Sequence, residues 1–211
     1  MNWFEASSHQ EISHRVQQFF QRHKTGENYF ENLSLPGASL VEAQLPFIEL
    51  IDANLEHADL SHAFLPGADL IRIRLKRARL IAINLLGVSL IRGDCQQAVF
   101  SYALLSGSNL IGTNFQGACL REAVLSGCDL RGANFKSADL RSANLQGANL
   151  EGADLRNADL QNTNLQQASL IGTLMPNGTY IDYQLNMLPP ASKDETSPKF
   201  SEVDMLFASL E

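Results

Sequence analysis

Residues 133–160 read ANFKSADLRSANLQGANLEGADLRNADL. Leu or Phe stands at every fifth place (Phe135, Leu140, Leu145, Leu150, Leu155, Leu160), Ala stands two places before each, and Asp or Asn stands between them. A period of five fits neither an α-helix, which would spread these leucines over all its faces, nor a strand, which would send them alternately to opposite sides. It fits a chain that turns the same two side chains, Ala and Leu, inward every five residues and leaves the other three facing water. Outward from this stretch the register holds in both directions. From Leu35 to Leu170 every position divisible by five is Leu or Phe, Cys95 excepted, through twenty-eight units without an insertion. Repetition on this scale points to a solenoid, in which each unit buries its apolar face only against its neighbours.

The unit A-(D/N)-L-x-x resembles the pentapeptide-repeat family, and the resemblance covers about two thirds of the chain. It implies an all-β solenoid, a right-handed quadrilateral β-helix in which four units close one coil of twenty residues. Coils stacked at strand spacing of ~4.8 Å then give about seven coils and a rod ~34 Å long. The family brings two precedents for function. Some relatives are regulatory cytoplasmic proteins abundant in cyanobacteria; others mimic DNA and bind type II topoisomerases.

An open solenoid end exposes its core and unpaired backbone, so each end requires a cap. Ser8 and Glu11 have capping-box spacing, and Ile12, Val16, Phe19 and His23 share one helical face, with Gly26 as a stop. This predicts an amphipathic helix over roughly residues 9–24, laid over the first coil, with Phe30 beginning an imperfect extra unit. Beyond Leu170 the pattern fades through Thr173 and Met175, and Pro176-Asn177-Gly178 reads as a turn. Residues 189–198 (PPASKDETSP) read as a disordered linker. Val203, Leu206, Phe207 and Leu210 lie at i, i+3, i+4 and i+7, the apolar face of a short tail helix. The organisation is thus an N-terminal helical cap (1–27), a repeat β-helix (28–175), and a turn, linker and tail helix (176–211).

The net charge of −7 is uneven. Residues 1–34 carry four acids and three bases, residues 35–175 thirteen and eleven, and residues 176–211 six and two. A repeat region so close to neutral lacks the basic face that a general nucleic-acid binder uses to displace counterions from phosphates. Three cysteines at irregular spacing argue against a disulfide framework and for a reducing compartment. No secretory leader or membrane-spanning run is visible, which makes cytoplasmic the expected location.

Folding the sequence at period twenty stacks residues into columns. One outward column carries Ile51, Ile71, Ile91 and Ile111, and the neighbouring side adds Phe64, Leu86, Leu104 and Val124. Together they form a candidate protein-binding strip, set against the plainer reading that β-branched residues suit a stacked-strand surface. Arg72, Arg74, Lys76, Arg77 and Arg79 form a candidate basic patch. The columns set Lys76 against Glu56, Arg74 against Asp94 and Arg79 against Asp59, as surface ion pairs of little net value. His57 and His62 have nothing nearby to complete a metal set. Cys95 and Cys128 point inward and Cys119 outward, and Gly67, Gly87, Gly107, Gly127 and Gly147 form a column suited to a positive-φ turn. No phosphate loop, nucleophile–base pair or cofactor site stands out. The expected function is a non-enzymatic protein-interaction scaffold or regulator working through the outer faces, with self-association open and a DNA-mimicking gyrase modulator as the alternative. The tail helix is expected either to latch onto the Ile51–Ile111 strip or to recruit a partner itself.

Overall fold

The computed structural model describes residues 3–182, with side chains from Gln10 onward. The linker and the tail-helix residues Val203, Leu206, Phe207 and Leu210 lie outside the described residues. Helix α1 (Trp3–Lys24) leads into strand β1 (Tyr29–Glu31), which pairs in parallel with β2 (Glu49–Ile51), Phe30 opposite Leu50. From there single parallel bridges continue the ladder, always to the residue twenty places on, from Ser34↔Asn54 to Asp154↔Leu174. The expected coil of twenty residues is therefore present, and Phe30 does open the first unit.

One unit, 58–62, shows why five residues suffice for a side and a corner. Ala58 donates its N–H to Leu55 O and closes a turn. Asp59 and Leu60 donate to the coils on either side, at Ala38 O and Arg79 O, and His62 donates to Ile81 O. The remaining N–H, of Ser61, points outward and is taken by Asp59 Oδ1 at 2.9 Å. Every N–H of the unit has a partner, as burial demands. The same side-chain acceptor recurs from Asn54 to Asn164, which explains why Asp or Asn stands between Ala and Leu.

Corners follow from the same geometry. All twenty-nine positions from Asn32 to Gly172 at steps of five have positive φ, eleven glycines and eighteen other residues. The third residue of a type II turn needs this conformation, and glycine adopts it without the Cβ penalty. The Gly column read from the sequence is one edge of four that share the conformation.

Inside, Ala and Leu are buried almost without exposure through the repeats. Phe115 stacks on Phe135 one coil away at 5.0 Å, and the void between Leu50, Leu60 and Leu85 holds only about 10 Å³, room for one water at most. Where a small polar residue replaces Ala, it bonds to the preceding coil: Thr113 Oγ1 donates to Leu90 O at 2.7 Å and Thr173 Oγ1 to Leu150 O at 2.8 Å.

The helix starts at Trp3, earlier than residue 9, so Ser8 and Glu11 lie inside it and their spacing caps nothing. Its C-terminus behaves as read: Gly26 has φ +98°, and Gly26 and Glu27 donate to His23 O and Arg22 O, a Schellman pair. Phe19 is buried edge-on to Phe30 at 4.9 Å, Arg22 lies over the Phe30 ring at 4.8 Å, and Ile12, Val16 and Phe20 pack on the core. At the other end the chain reverses through Pro176-Asn177-Gly178, and Leu174 bridges Tyr180 antiparallel. Ile181, 3 % exposed, exchanges backbone bonds with Gly172 and Thr173.

Candidate functional site

The columns define four sides. Side one is centred on Phe30, Leu50 and every twentieth residue after them; side two on Leu35 and Leu55; side three on Leu40 and Leu60; side four on Leu45 and Leu65. Inward residues are alike on all four, so any site must be sought in the outward residues.

Ile51, Ile71, Ile91 and Ile111 stand on side one just past its centre and are half-buried. Phe64, Leu104 and Val124 occupy the bridge position of side four, and Leu86 its corner. The structure does not merge the two groups. The polar column Glu49, Asp69, Ser89 and Asn109 on side one separates them.

Side four has a property that the isoleucine column concealed. Its units, 43–47 through 163–167, contain no Asp, Glu, Lys, Arg or His. Residues 35–175 hold thirteen acids and eleven bases, so an even spread of these twenty-four would place six on this side. Eight large apolar residues are exposed among the described residues, and six of them (Val41, Phe47, Phe64, Leu86, Tyr102, Leu104) lie on side four or on the corner where side three meets it. Phe47 is 70 % exposed with φ +57°, an unfavourable conformation for a bulky residue. Its ring lies over Gly67, where an added Cβ would come within 2.7 Å of Phe47 Cδ1.

The basic patch spans one coil, from the corner after side one across side two to side three. Arg79 pairs with Asp59 at 3.3 Å, as expected, and Arg72 chelates Asp52 with Nε–Oδ1 at 2.7 Å, a pair the sequence reading did not include. Arg74 is in register with Asp94, yet its Nε approaches Glu56 at 3.9 Å instead. Asp94 Oδ1 is held by the Gln96 N–H, and the longer Glu56 reaches across. Arg77 donates to Gln97 Oε1 at 2.8 Å, and no ion pair forms at Lys76 among the described residues, so the expected Lys76–Glu56 pair is replaced by Arg74–Glu56.

Farther along, Asp and Arg of one unit chelate each other: Asp129 with Arg131, Asp139 with Arg141, Asp154 with Arg156. The Arg156 guanidinium, with help from Lys136, holds the Asp154 carboxyl down at about 2. Arg131 and Arg141 lower Asp129 and Asp139 in the same way.

Burial pushes the Cys128 thiol up to about 11 and Cys95 well above its ordinary value. Cys128 Sγ donates to Leu105 O, while half-buried Cys119 lies 3.3 Å from Ser101 Oγ. His57 and His62 sit at exposed positive-φ corners. No group of three metal-ligating side chains occurs among the described residues, nor a helix long and apolar enough to cross a membrane. Two grooves flank α1, of about 880 Å³ beside His14, Gln18, Arg22 and Asn32 and about 520 Å³ beside Ile12, Val16 and Pro36.

A four-sided ladder of parallel bridges on a five-residue unit is a β-solenoid. The family model for pentapeptide repeats matches eight copies over residues 48–85, 89–127, 118–157 and 138–175, and the chain belongs to that family. Members with matching structures are right-handed quadrilateral β-helices. Among solved structures, the chain is 27 % identical to HetL, a pentapeptide repeat protein involved in heterocyst differentiation regulation in the cyanobacterium Nostoc, over 77 % of this chain and 97 % of that one, with a TM-score of 0.36. It is 33 % identical to a pentapeptide repeat protein of the Arabidopsis thaliana thylakoid lumen over 50 % of this chain and 70 % of that one, with a TM-score of 0.37. With QnrB1, a plasmid-mediated fluoroquinolone resistance protein, it shares 23 % identity over 65 % of this chain and 79 % of that one, at a TM-score of 0.35. No curated protein sequence matches the chain.

Proposed function

We propose that this chain is a non-enzymatic scaffold or regulatory protein that binds another protein through the outer faces of its β-helix. The observation that carries this reading is side four, with no ionisable residue in its seven units from 43–47 to 163–167 and, among the described residues, most of the exposed large apolar side chains on or beside it. The buried centre of a protein interface is depleted in charge and enriched in aromatic residues in the same way. Nothing inside the solenoid requires this, since the other three sides carry charges over the same inward pairs. In this reading residues 1–27 are a helical cap, residues 28–175 a β-helix of about seven coils, and residues 176–211 a turn that packs back on the last coil, a linker and a short tail helix; the site of action is cytoplasmic.

The basic coil is a lesser candidate, because Asp52, Asp59 and Glu56 engage three of its five bases. A DNA mimic of the kind that modulates gyrase needs a continuous negative surface, and neither side four nor the coil of Arg72–Arg79 offers one. The test is affinity capture from the native host with wild type and Leu104→Arg, alongside a gyrase supercoiling assay. A protein retained by wild type and lost with Leu104→Arg supports the reading. Capture indifferent to Leu104→Arg, or a change in supercoiling, removes it.

A further inference from the structure

From the uncharged side we infer that side four is an internal docking face, and that its occupant is the chain's own residues 201–210, bound as a short helix that a partner must displace. The inference rests on side four being the binding face proposed above and adds its regulation. The strip alone suits a tethered segment, whereas a separate partner must also use the apolar residues at its corner, Val41 and Tyr102. Seven stacked units at ~4.8 Å and about three extended residues of width at ~3.3 Å give a strip of roughly 34 by 10 Å. That projects on the order of 300 Å², against about 800 Å² per partner in a stable protein–protein interface. The strip has the right width for one helix, whose diameter with side chains is ~10–12 Å. A ten-residue helix, ~15 Å long, spans about three coils, the distance from Phe64 to Leu104 and its flanks.

The chain supplies such a segment. Val203, Leu206, Phe207 and Leu210 make one apolar face as free of charge as side four, with Glu202 and Asp204 off that face. So short a helix is marginal in isolation, and tethering lets a small contact hold it. The last described residue, Asp182, lies at the final coil, and eighteen residues, 183–200, separate it from residue 201; a coil of that length would span ~21–25 Å. The unit 83–87 lies four coils back from 163–167, ~19 Å along the rod. Tethering at that range supplies an effective concentration of ~1 mM, enough to hold a contact too weak to persist between separate molecules.

The full-length chain with isotopically labelled Ile, Leu and Val methyls is compared with its Phe207→Asp and Leu104→Arg variants. In wild type against Phe207→Asp, the methyl signals of Leu86, Leu104 and Val124 are expected to shift, by the same amount at every protein concentration. Leu104→Arg should move the tail signals Val203, Leu206 and Leu210 to the positions they take in Phe207→Asp. A synthetic peptide of residues 199–211 titrated into the Phe207→Asp chain should restore the wild-type shifts with a Kd tighter than ~1 mM. Unchanged side-four methyls overturn the proposal, as do shifts confined to the Ile51–Ile111 column or shifts that vanish on dilution, the sign of a second copy. No external partner enters this measurement. Its failure leaves the protein-binding reading intact, and a failed capture experiment leaves the latch intact.

Discussion

Sides two and four stand on the same kind of inner wall. Ala133 and Phe135 fill one, Ala143 and Leu145 the other, all at 1 % exposure or less. Outward, side two carries Arg74, Lys76, Asp94, Lys136, Asp154 and Arg156, while side four carries no charge over its whole length. The repeat thus constrains the interior and leaves the exterior free, so an outward pattern sustained for seven coils reports something other than folding. That separation can be attacked at both levels.

Charge placed inward should be equally ruinous on both sides. Leu145→Asp and Leu155→Asp each bury an uncompensated carboxylate and are expected to cost more than ~4 kcal/mol, measured by urea unfolding. Tolerance on one side alone would mean that the two inner walls are not equivalent.

A sharper contrast lies along the edge of side four itself. Gly67 and Gly127 share φ near +65°, but only Gly67 has an aromatic ring over it. Gly127→Ala should cost ~1 kcal/mol through backbone strain, and Gly67→Ala ~1–3 kcal/mol because the Phe47 ring must also move. Adding Phe47→Ala should reduce the second penalty to the first, and a persistent gap in melting temperature would show that the ring is not its cause.

Outward changes should barely affect stability. Leu104→Arg on side four is expected to fall within ~0.5 kcal/mol of wild type, and Arg79→Ala, which breaks the Asp59 pair on side three, to cost ~0–1 kcal/mol. If Leu104→Arg instead unfolds the protein, side four serves folding and the contrast with side two collapses.

The smallest effect depends on pH. Asp154 is held at about 2 by Arg156, below the ordinary ~3.9 of a free carboxyl. The folded chain therefore binds this proton less readily than the unfolded one, so the contribution is complete above pH ~4 and is lost as pH falls through ~2. Asp154→Asn should cost under ~1 kcal/mol at pH 5 and nothing at pH 2; a cost that is the same at both pH values would rule out the carboxylate as its source.

The inward half of this design was legible because Leu and Ala recur without a gap, and columns of period twenty correctly set Arg79 over Asp59, though not the Arg72–Asp52 pair that the structure adds. Sequence reasoning failed where a local pattern had a second meaning. Ser8 and Glu11 matched a capping box yet lie within a helix that begins at Trp3, because the residues before Ser8 contain nothing that breaks a helix. The turn conformation was visible only where glycine marked it, although Arg92, Gln97 and Tyr102 adopt it too, held there by the coil-to-coil bonds on either side. Arg74 turned from its in-register partner Asp94 to Glu56, the acid that the columns had assigned to Lys76. The charge-free side was present in the columns, and counting ionisable residues side by side would have found it; four isoleucines drew the eye to side one instead.

The pairing of each residue with the one twenty places on also sets how such a chain can change length. Removing or adding twenty residues shortens or lengthens the rod by one coil and leaves every face intact. An insertion of five keeps the interior repeat but turns everything beyond it by a quarter. After Leu105, such an insertion would carry Val124 onto side one and bring Arg121 and Glu122 onto side four. Chains descended from this one that keep the uncharged side should therefore differ from it by whole coils, whereas those that slip by a single unit would retain the fold and exchange their binding faces.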